Sequence, residues 1–385
     1  MRTDLKESSF NNSFKTKFPV NPVAPITTAV NSFIFWYFAG NFKYMEVYQN
    51  YSLKKCNTFG IAADAKYFAT FSSSGELEEF LKNRKNISPN IILGGGSNIL
   101  FTKNYEGFIL KNEIRGIDIV NEDEEFVYIR AGAGVKWHNF VMDCVKNNYG
   151  GVENLSLIPG NVGASPMQNI GAYGVEIKDV FFELEAFHLQ DKIIKKFSTK
   201  DCEFGYRESI FKKKYKGQFA ILNVTYRLRK KPVFNISYGT IEEELKKMNI
   251  HELSVKAISD AVIHIRTLKL PDPEIIGNAG SFFKNPVLNN LELRRLEELA
   301  TLAKEKIPFY KTVEAQFKIP AGWLIEQCGW KGFRKGDAGC YEKQALVLVN
   351  YGNATGKEIY NLSEEIKISV KEKFGIEIER EVNII

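Results

Sequence analysis

Two glycine-rich stretches carry the residue types with which a chain brings its backbone close to a ligand. The first, Gly94-Gly95-Gly96-Ser97-Asn98, stands between the apolar runs 91–93 and 99–101. The second, residues 158–174, is free of charged side chains and repeats glycine, alanine or serine every few positions. Such positions either form tight turns or let backbone N–H groups approach a large flat or phosphorylated ligand.

The context of the first stretch excludes the common phosphate-binding loops. Rossmann and Walker motifs both need a helix directly after their glycines, whereas an apolar strand candidate follows Asn98 here. A triple glycine between two strands, taken alone, is more typical of a hairpin turn. The presence of both stretches in one chain favours ligand binding over turn formation alone.

Three further motifs accompany the glycine stretches: Phe-Gly-Tyr-Arg-Glu-Ser-Ile-Phe at 204–211, Gly-Asn-Ala-Gly-Ser-Phe-Phe-Lys-Asn-Pro at 277–286 and Ala-Gly-Trp-Leu-Ile-Glu-Gln at 321–327. In wording and order, the five motifs resemble the UDP-N-acetylenolpyruvoylglucosamine reductase family, the flavin enzymes of peptidoglycan precursor synthesis. The resemblance extends from about Tyr48 to the last residue. Tyr238, within Ser-Tyr-Gly-Thr, indicates the long-loop (type I) subgroup of that family.

The resemblance implies an α+β fold with two FAD-binding subdomains, of the PCMH and vanillyl-alcohol-oxidase type, and a substrate-binding α+β domain. Residues 1–44 lack periodicity and are interpreted as a disordered extension or the product of an upstream start codon. The expected divisions are 45–112 for the first subdomain with the C-terminal strand 376–385, 113–270 for the second with a substrate-covering loop near Tyr238, and 271–375 for the substrate domain.

The resemblance also implies FAD as cofactor and NADPH as reductant. The four histidines (His138, His188, His251, His264) and five cysteines lie outside both glycine stretches, so we expect dissociable FAD without a covalent tether. Ala164 stands where close relatives often carry a second serine, so one flavin hydrogen bond is missing or made by water. The expected FAD contacts are Gly94, Gly95, Gly96, Ser97, Asn98, Pro159, Gly160, Gly163, Ser165, Gln168, Asn169, Gly171 and Tyr173.

Three residues match the catalytic positions of the family. Arg207 and Glu381 match its enolate-stabilising pair, and Ser281 matches its proton donor. A guanidinium is a permanently charged fork suited to a carboxylate that becomes a dianionic enolate, and the glycine before the Tyr-Arg-Glu-Ser sequence suggests a turn that aims it. Glu381 shares one face of an alternating segment with Glu377 and Glu379, and only the resemblance selects it.

Six residues match family positions that face the nucleotide sugar, UDP-N-acetylglucosamine enolpyruvate. Tyr238 matches a tyrosine on the mobile loop, and Lys269 in Lys-Leu-Pro-Asp-Pro matches a lysine that meets the diphosphate. Each could also be an ordinary surface residue. The expected substrate contacts are Tyr238, Lys269, Asn285, Tyr310, Lys318 and Gln344.

Hydrophobic periodicity predicts the elements that must position these side chains. A capping box at 73–76 opens a short helix, and Trp137, Phe140, Val141, Cys144 and Val145 recur at helical spacing over 136–147, which leaves His138 toward solvent. Strands dominate from about 180 to 228. Longer helices are expected at 290–306 and Gly356–Phe374, and the alternating residues 376–385 are expected to form a strand, so the fold class is α+β.

Composition argues against several classes of partner. The formal charge is +6 over 385 residues, with both signs interleaved, so no basic stripe indicates nucleic acid. The five cysteines show no metal-binding spacing, and the apolar run 33–40 is far shorter than the ~20 residues that span a bilayer. We expect a cytoplasmic monomer without metal or membrane partners. The alternatives are another FAD-dependent oxidase or dehydrogenase on the same scaffold, or a non-catalytic FAD-binding protein.

Overall fold

The computed structural model describes residues 45–83, 91–237, 239–302, 307–312 and 315–385. The expectations for residues 1–44 and for Tyr238 lie outside the described residues. Helices and strands are mixed along the described chain, and most of its strand pairs are antiparallel, which confirms the α+β class. None of the helices within the described residues is long and apolar enough to cross a membrane.

The first sheet holds the first glycine stretch at its edge. Its strand order is β1-β2-β5-β3, with β1 antiparallel to β2 and the other pairs parallel. The expected capping box is half formed: the Glu76 N–H donates to Ser73 Oγ at 3.1 Å, but the Glu76 carboxylate accepts from the Ser72 N–H at 2.7 Å and not from that of Ser73. The elements are β1 (Tyr48–Ser52), β2 (Asp64–Phe71), α1 (Ser74–Asn83), β3 (Ile91–Leu93), β4 (Ile99–Leu100) and β5 (Tyr105–Asn112).

The second sheet is antiparallel and has five strands in the order β11-β10-β12-β7-β6. The predicted helix stripe is buried against it, and Trp137 Nε1 donates to the Leu155 carbonyl at 2.9 Å. His138 was expected to face solvent, but its Nδ1 accepts from the Leu157 N–H at 3.0 Å, because a loop folds over this end of the helix. The elements are β6 (Ile117–Glu122), β7 (Phe126–Gly132), α2 (Trp137–Lys146), β8 (Gly171–Ala172), β9 (Val175–Glu176), β10 (Phe181–His188), β11 (Ile193–Ser198), β12 (Phe219–Arg229), α3 (Gly239–Lys247) and α4 (Val255–Lys269).

The remaining elements build two small antiparallel sheets, ordered β13-β19-β18-β17 and β14-β16-β15. The apolar stripe of the last helix is buried as expected, with a Thr355–Glu358 capping box at its start and Gly375 at φ +67° after its end. The elements are β13 (Gly277–Ser281), β14 (Val287–Leu288), α5 (Asn290–Leu302), β15 (Tyr310–Lys311), β16 (Phe317–Lys318), α6 (Ala321–Gln327), β17 (Arg334–Lys335), β18 (Ala338–Cys340), β19 (Val347–Asn350), α7 (Gly356–Phe374) and β20 (Asn383–Ile384).

The C-terminal segment returns to the first glycine stretch, where β20 pairs in parallel with β4 in a separate two-stranded sheet. The expectation of a strand over 376–385 was too long, because only β20 and an isolated Phe283–Arg380 bridge pair there. The alternation in 376–379 has a different cause, as Ile376 and Ile378 pack into the core beside α7 while Glu377 and Glu379 remain exposed.

Candidate active site

The first glycine stretch forms the expected turn between β3 and β4. Gly96 has φ +65°, and a Cβ atom at this position would lie 2.0 Å from the Cys56 carbonyl oxygen. Backbone conformation and close approach therefore both require glycine there. Within the described residues, the backbone N–H groups of Gly95, Gly96 and Ser97 donate to no protein acceptor. These donors are available for a phosphorylated ligand.

The second glycine stretch crosses the first. A Cβ on Gly95 would lie 2.8 Å from Asn161 Oδ1, and a Cβ on Gly160, which has φ +110°, would lie 2.5 Å from Ser97 Oγ. Ser97 Oγ donates to the Pro159 carbonyl at 3.2 Å. Gly95 and Gly160 thus allow one backbone to pack closely on the other, and the two stretches form a single wall.

Both stretches line a cavity of about 460 Å³. Its volume falls in the range of ligand sites, roughly 300–1,000 Å³. Backbone donors at 95–97 suit a pyrophosphate, and small residues of the second stretch leave room for a flat ring, so these residues fit FAD. The expected FAD residues that line this cavity are Gly94, Gly95, Gly96, Ser97, Asn98, Pro159, Gly163, Ser165, Gln168 and Gly171.

Three expected FAD residues lie outside the cavity lining. Gly160 contacts the first stretch instead, as described above. The Asn169 side chain is fully buried and donates to Glu176 Oε2 and the Gly205 carbonyl, both at 3.0 Å, and Tyr173 hydrogen-bonds to the side chain of Arg266. Ser165 does line the cavity, although its hydroxyl is held at 2.7 Å from that of the fully buried Tyr226.

Arg207 occupies the turn that the sequence suggested. Mutual hydrogen bonds between Gly205 and Glu208, at 3.0 and 3.3 Å, close a four-residue turn whose third residue is Arg207, at φ +56°. This left-handed conformation is uncommon for a residue with a side chain and is favoured at functional sites. The guanidinium donates to the carbonyls of Asn169 at 3.4 Å and Gly171 at 2.5 Å, so it is anchored to the second glycine stretch.

Glu381 meets Arg207 across the cavity wall. Its Oε1 lies 3.3 Å from Arg207 Nε, and its side chain is only 13 % exposed, whereas that of Glu379 is 73 % exposed. Burial raises the pKa of the Glu381 carboxyl, while the nearby charges of Arg207, Lys212 and Lys284 lower it by a smaller amount. Burial thus distinguishes Glu381 from the other two glutamates of its segment, which sequence alone could not do.

Ser281 lies at the end of β13 and lines the same cavity as Arg207 and Glu381. The chain that follows it pairs with the C-terminal segment, since the Glu381 N–H donates to the Phe282 carbonyl at 2.8 Å and the Lys284 N–H to the Glu379 carbonyl at 2.8 Å. This pairing brings Ser281 and Glu381 to one wall although they are far apart in sequence. Among the described residues, none accepts or donates a hydrogen bond at the Ser281 hydroxyl.

The expected substrate residues that the structure describes fall into two groups: two line a second cavity, and three line neither cavity. Tyr310 and Lys318 line a second cavity, of about 370 Å³, together with Tyr206. The Lys318 ammonium lies 3.7 Å from the centre of the Tyr206 ring, and burial lowers its pKa. The other described candidates line neither cavity: Asn285 Oδ1 accepts from the Ala321 N–H at 2.9 Å, Gln344 Oε1 accepts from the Leu346 N–H at 3.3 Å, and Lys269 is exposed at the end of α4.

Sequence reasoning missed several polar residues on these walls, including two charged residues at each cavity. Lys212 and Arg266 line the first cavity, and Glu176 and Lys178 line the second. Arg266 stands three residues before Lys269 on α4, a spacing that places both on neighbouring parts of one helix face. Lys212 stands five residues after Arg207, directly after the 204–211 motif, and offered no periodic signal.

The fold and the glycine-lined cavity define an FAD-binding protein. The family described as FAD binding domain matches residues 65–195, and the family described as UDP-N-acetylenolpyruvoylglucosamine reductase, C-terminal domain, matches residues 272–385. The crystal structure of UDP-N-acetylenolpyruvylglucosamine reductase from Thermus caldophilus has the same fold, with a TM-score of 0.62 at 22% identity, over 89% of this chain and 99% of that one.

Curated relatives extend the match along the chain. The UDP-N-acetylenolpyruvoylglucosamine reductase of Flavobacterium johnsoniae is 51% identical over 342 residues, which are 89% of this chain and 100% of the relative. That of Amoebophilus asiaticus is 49% identical over 345 residues, with the same shares, and that of Bacteroides fragilis 45% over 337 residues, or 88% and 99%. The chain belongs to the UDP-N-acetylenolpyruvoylglucosamine reductase family, and FAD is its cofactor.

Proposed function

We propose that this protein reduces UDP-N-acetylglucosamine enolpyruvate to UDP-N-acetylmuramate with NADPH, a step of peptidoglycan precursor synthesis. The observation that carries the proposal is 51% identity to a reductase of that name along its whole length. FAD, held by the two glycine stretches, would supply the hydride-transfer chemistry that links NADPH to the terminal methylene carbon of the enolpyruvyl group. The protein must then stabilise and protonate the carbon beside the carboxylate.

Arg207 stabilises the charge that develops on the substrate. Addition of hydride to the methylene carbon leaves carbanion character beside the carboxylate, so the carboxylate becomes a dianionic enolate. A guanidinium fixed by the Asn169 and Gly171 carbonyls can meet this charge without reorganising. The anchored geometry supports this role because an arginine free to rotate would first have to be ordered.

Glu381 supplies a hydrogen bond to the same enolate from its protonated form. A carboxylate would repel a dianion, whereas a protonated carboxyl can donate to it. Burial already raises the pKa of Glu381, and a bound substrate carboxylate raises it further by like-charge repulsion. Its contact with Arg207 keeps the two groups on one side of the reacting carbon.

Ser281 delivers the proton to the carbon beside the carboxylate. A serine hydroxyl is a weak acid, but the carbanion is a strong base, so transfer is favourable once the two are in contact. A role as donor is supported by the position of Ser281 on the cavity wall, where no described protein group competes for its hydroxyl.

The nucleotide sugar extends from this cavity toward the second one. Tyr206 is on the wall of the second cavity, and its sequence neighbour Arg207 is on that of the first. Tyr310 and Lys318 therefore contact the nucleotide portion, and Lys318 offers a cation for a phosphate. Tyr238, Lys269, Asn285 and Gln344 are proposed as further contacts on the family resemblance alone, as is the long-loop subgroup.

We further propose the domain division 45–112 with 376–385, 113–270 and 271–375. The first sheet, the second sheet and the two small antiparallel sheets lie in the three divisions in that order, which supports this proposal. The pairing of β20 with β4 supports the assignment of 376–385 to the first division. We propose that the enzyme acts in the cytoplasm, where a nucleotide sugar and NADPH are available, and as a monomer. Light scattering of the purified protein should then give a mass near 43.9 kDa.

An anaerobic titration tests the function. The purified protein should be yellow and release its flavin into the supernatant on acid precipitation, because FAD is held without a covalent bond. NADPH should bleach the flavin absorbance, and the enolpyruvyl sugar nucleotide should restore it while UDP-N-acetylmuramate appears by mass spectrometry. Restoration by oxygen at a comparable rate, with none by the sugar nucleotide, would identify an oxidase instead.

A further inference from the structure

Lys212 borders the catalytic side chains but has no role in the steps above. It ends the short 3-10 turn Ile210–Lys212 and lines the same cavity as Arg207 and Glu381. Its Nζ donates to the backbone carbonyl of Arg207 at 3.3 Å. Among the described residues, no other group donates to that carbonyl. Lys212 therefore restrains the backbone of Arg207.

The backbone of Arg207 needs such support. A left-handed conformation is strained for a residue with a side chain and persists only where the surroundings enforce it. The mutual Gly205–Glu208 hydrogen bonds close the turn around Arg207 but do not engage its own carbonyl. The Lys212 ammonium therefore restrains the turn from the cavity side.

Lys212 also differs from the neighbouring Lys284 in its ion pairing. Glu381 is faced by Arg207, Lys212 and Lys284, and by the Tyr206 phenol. The Lys284 ammonium is already paired with Glu379 at 3.0 Å and Glu208 at 3.4 Å. No carboxylate of the described residues lies within ion-pair distance of Lys212. Its charge is therefore directed at the cavity and at Glu381.

We propose that Lys212 is a positioning residue of this reaction, which holds the Arg207 turn and supplies a cation to the part of the cavity, beside Glu381, where the substrate carboxylate gains charge. The inference rests on the proposed function for the identity of the substrate, a carboxylate that gains charge during the reaction. It does not require Lys212 to exchange a proton. Desolvation by burial and, to a smaller extent, the charge of Lys284 lower the pKa of Lys212, and the carboxylates of Glu381, Glu208 and Glu379 oppose that shift.

Three variants of the holoenzyme distinguish the loss of the hydrogen bond and charge of Lys212 from a change in side-chain shape and from a general effect on the fold. Lys212→Met removes the donor and the charge, and Lys212→Arg keeps both in a different shape. Lys213→Met is the matched control, because Lys213 is the next residue, is exposed and pairs with Glu208 at the surface. Each variant is followed by stopped-flow absorbance of the flavin, with NADPH for reduction and the enolpyruvyl sugar nucleotide for reoxidation.

Lys212→Met should slow reoxidation by ~10-fold to 10²-fold, the scale of a misplaced charged group, and leave reduction by NADPH within about twofold of wild type. Lys212→Arg should recover most of the loss, and Lys213→Met should match wild type. If Lys212→Met is insoluble, Lys212→Gln takes its place with the same expected values. Unchanged reoxidation, or equal slowing of both half-reactions, would overturn the proposal.

A second readout needs no turnover. In infrared spectra of the oxidised holoenzyme, the carboxylic acid band of Glu381 is identified by its loss in Glu381→Gln. The pH at which this band is half lost should rise by about 0.5–1 unit in Lys212→Met, and stay unchanged in Lys212→Arg and Lys213→Met. An unmoved midpoint in Lys212→Met refutes the cation role. Absence of reoxidation in the wild type would instead refute the proposed function.

Discussion

Ser281→Ala is the sharpest test of the proposed chemistry because the structure isolates the hydroxyl. Within the described residues, that hydroxyl makes no hydrogen bond, and its side chain faces the cavity rather than a packed core. The substitution therefore removes one oxygen atom without breaking a contact or creating a buried void. Its effect on the free energy of unfolding should be within about 0.5 kcal/mol, as for other surface changes.

Loss of a positioned proton donor has a much larger expected effect on rate. A general acid contributes about 10²-fold to 10⁴-fold, and a 10²-fold loss corresponds to roughly 2.7 kcal/mol of activation free energy. This figure is about five times the largest stability effect expected from the substitution. A loss of that size therefore cannot arise from unfolding, and the half-reactions show whether it lies in the chemical step.

The two half-reactions locate the effect. Reduction of the flavin by NADPH needs no proton on the substrate carbon, so Ser281→Ala should leave its rate close to wild type. Reoxidation by the enolpyruvyl sugar nucleotide should slow by ~10²-fold or more, and Ser281→Cys should recover part of it, because a thiol can donate from nearly the same place. Equal slowing of both half-reactions would refute the reasoning in favour of a structural role.

Three other perturbations test separate parts of the structure. Because protonated Glu381 is proposed to donate to the enolate and burial raises its pKa, reoxidation should decline as pH rises through that pKa; Glu381→Gln should be slower but should lose this limb of the pH profile. Gly96→Ala should lower the thermal midpoint by an amount worth at least about 2 kcal/mol, whereas Gly94→Ala, whose nearest atom would be 3.7 Å away, should fold normally; equal midpoints would contradict the strain argument. Removal of residues 1–44 should leave turnover and thermal midpoint nearly unchanged, since that segment lacks the periodicity of a core, and an insoluble or inactive truncation would show it to be structural.

Sequence periodicity predicted α1, α2, α5 and α7, because burial decides their faces, but it gave no bounds for α3, α4 or α6. The stripe of α7 was expected at Gly356–Phe374 and is found with those bounds, and the α2 stripe is likewise buried. The helix expected at 290–306 is described as Asn290–Leu302, and 303–306 lie outside the described residues. The strand expected at 376–385 was wrong in extent, because alternation reports only which side chains are buried and not whether a backbone partner exists.

For the candidate site, the sequence predicted the glycine-rich backbone better than the polar side chains. Ten of the thirteen expected FAD residues line one cavity, because glycine-rich backbone leaves a readable signal. Asn169 and Tyr173 were taken as ligand contacts, but their polar groups are bonded within the protein, and a sequence cannot show where a hydrogen bond goes. Lys212 was missed for the same reason, since its importance depends on a carbonyl that only the turn at Arg207 exposes.

The hydrogen bonds of Arg207 and Asn169 explain why cofactor and catalytic motifs occur together. The Asn169 side chain donates to the Gly205 carbonyl, and the Arg207 guanidinium donates back to the Asn169 carbonyl. The second glycine stretch and the Arg207 turn therefore form one hydrogen-bonded unit, in which Asn169 ties the turn to the flavin wall without touching the cavity. A displaced stretch would move the guanidinium with it, so the backbone that lines the proposed flavin site also fixes the position of the charge proposed to stabilise the enolate.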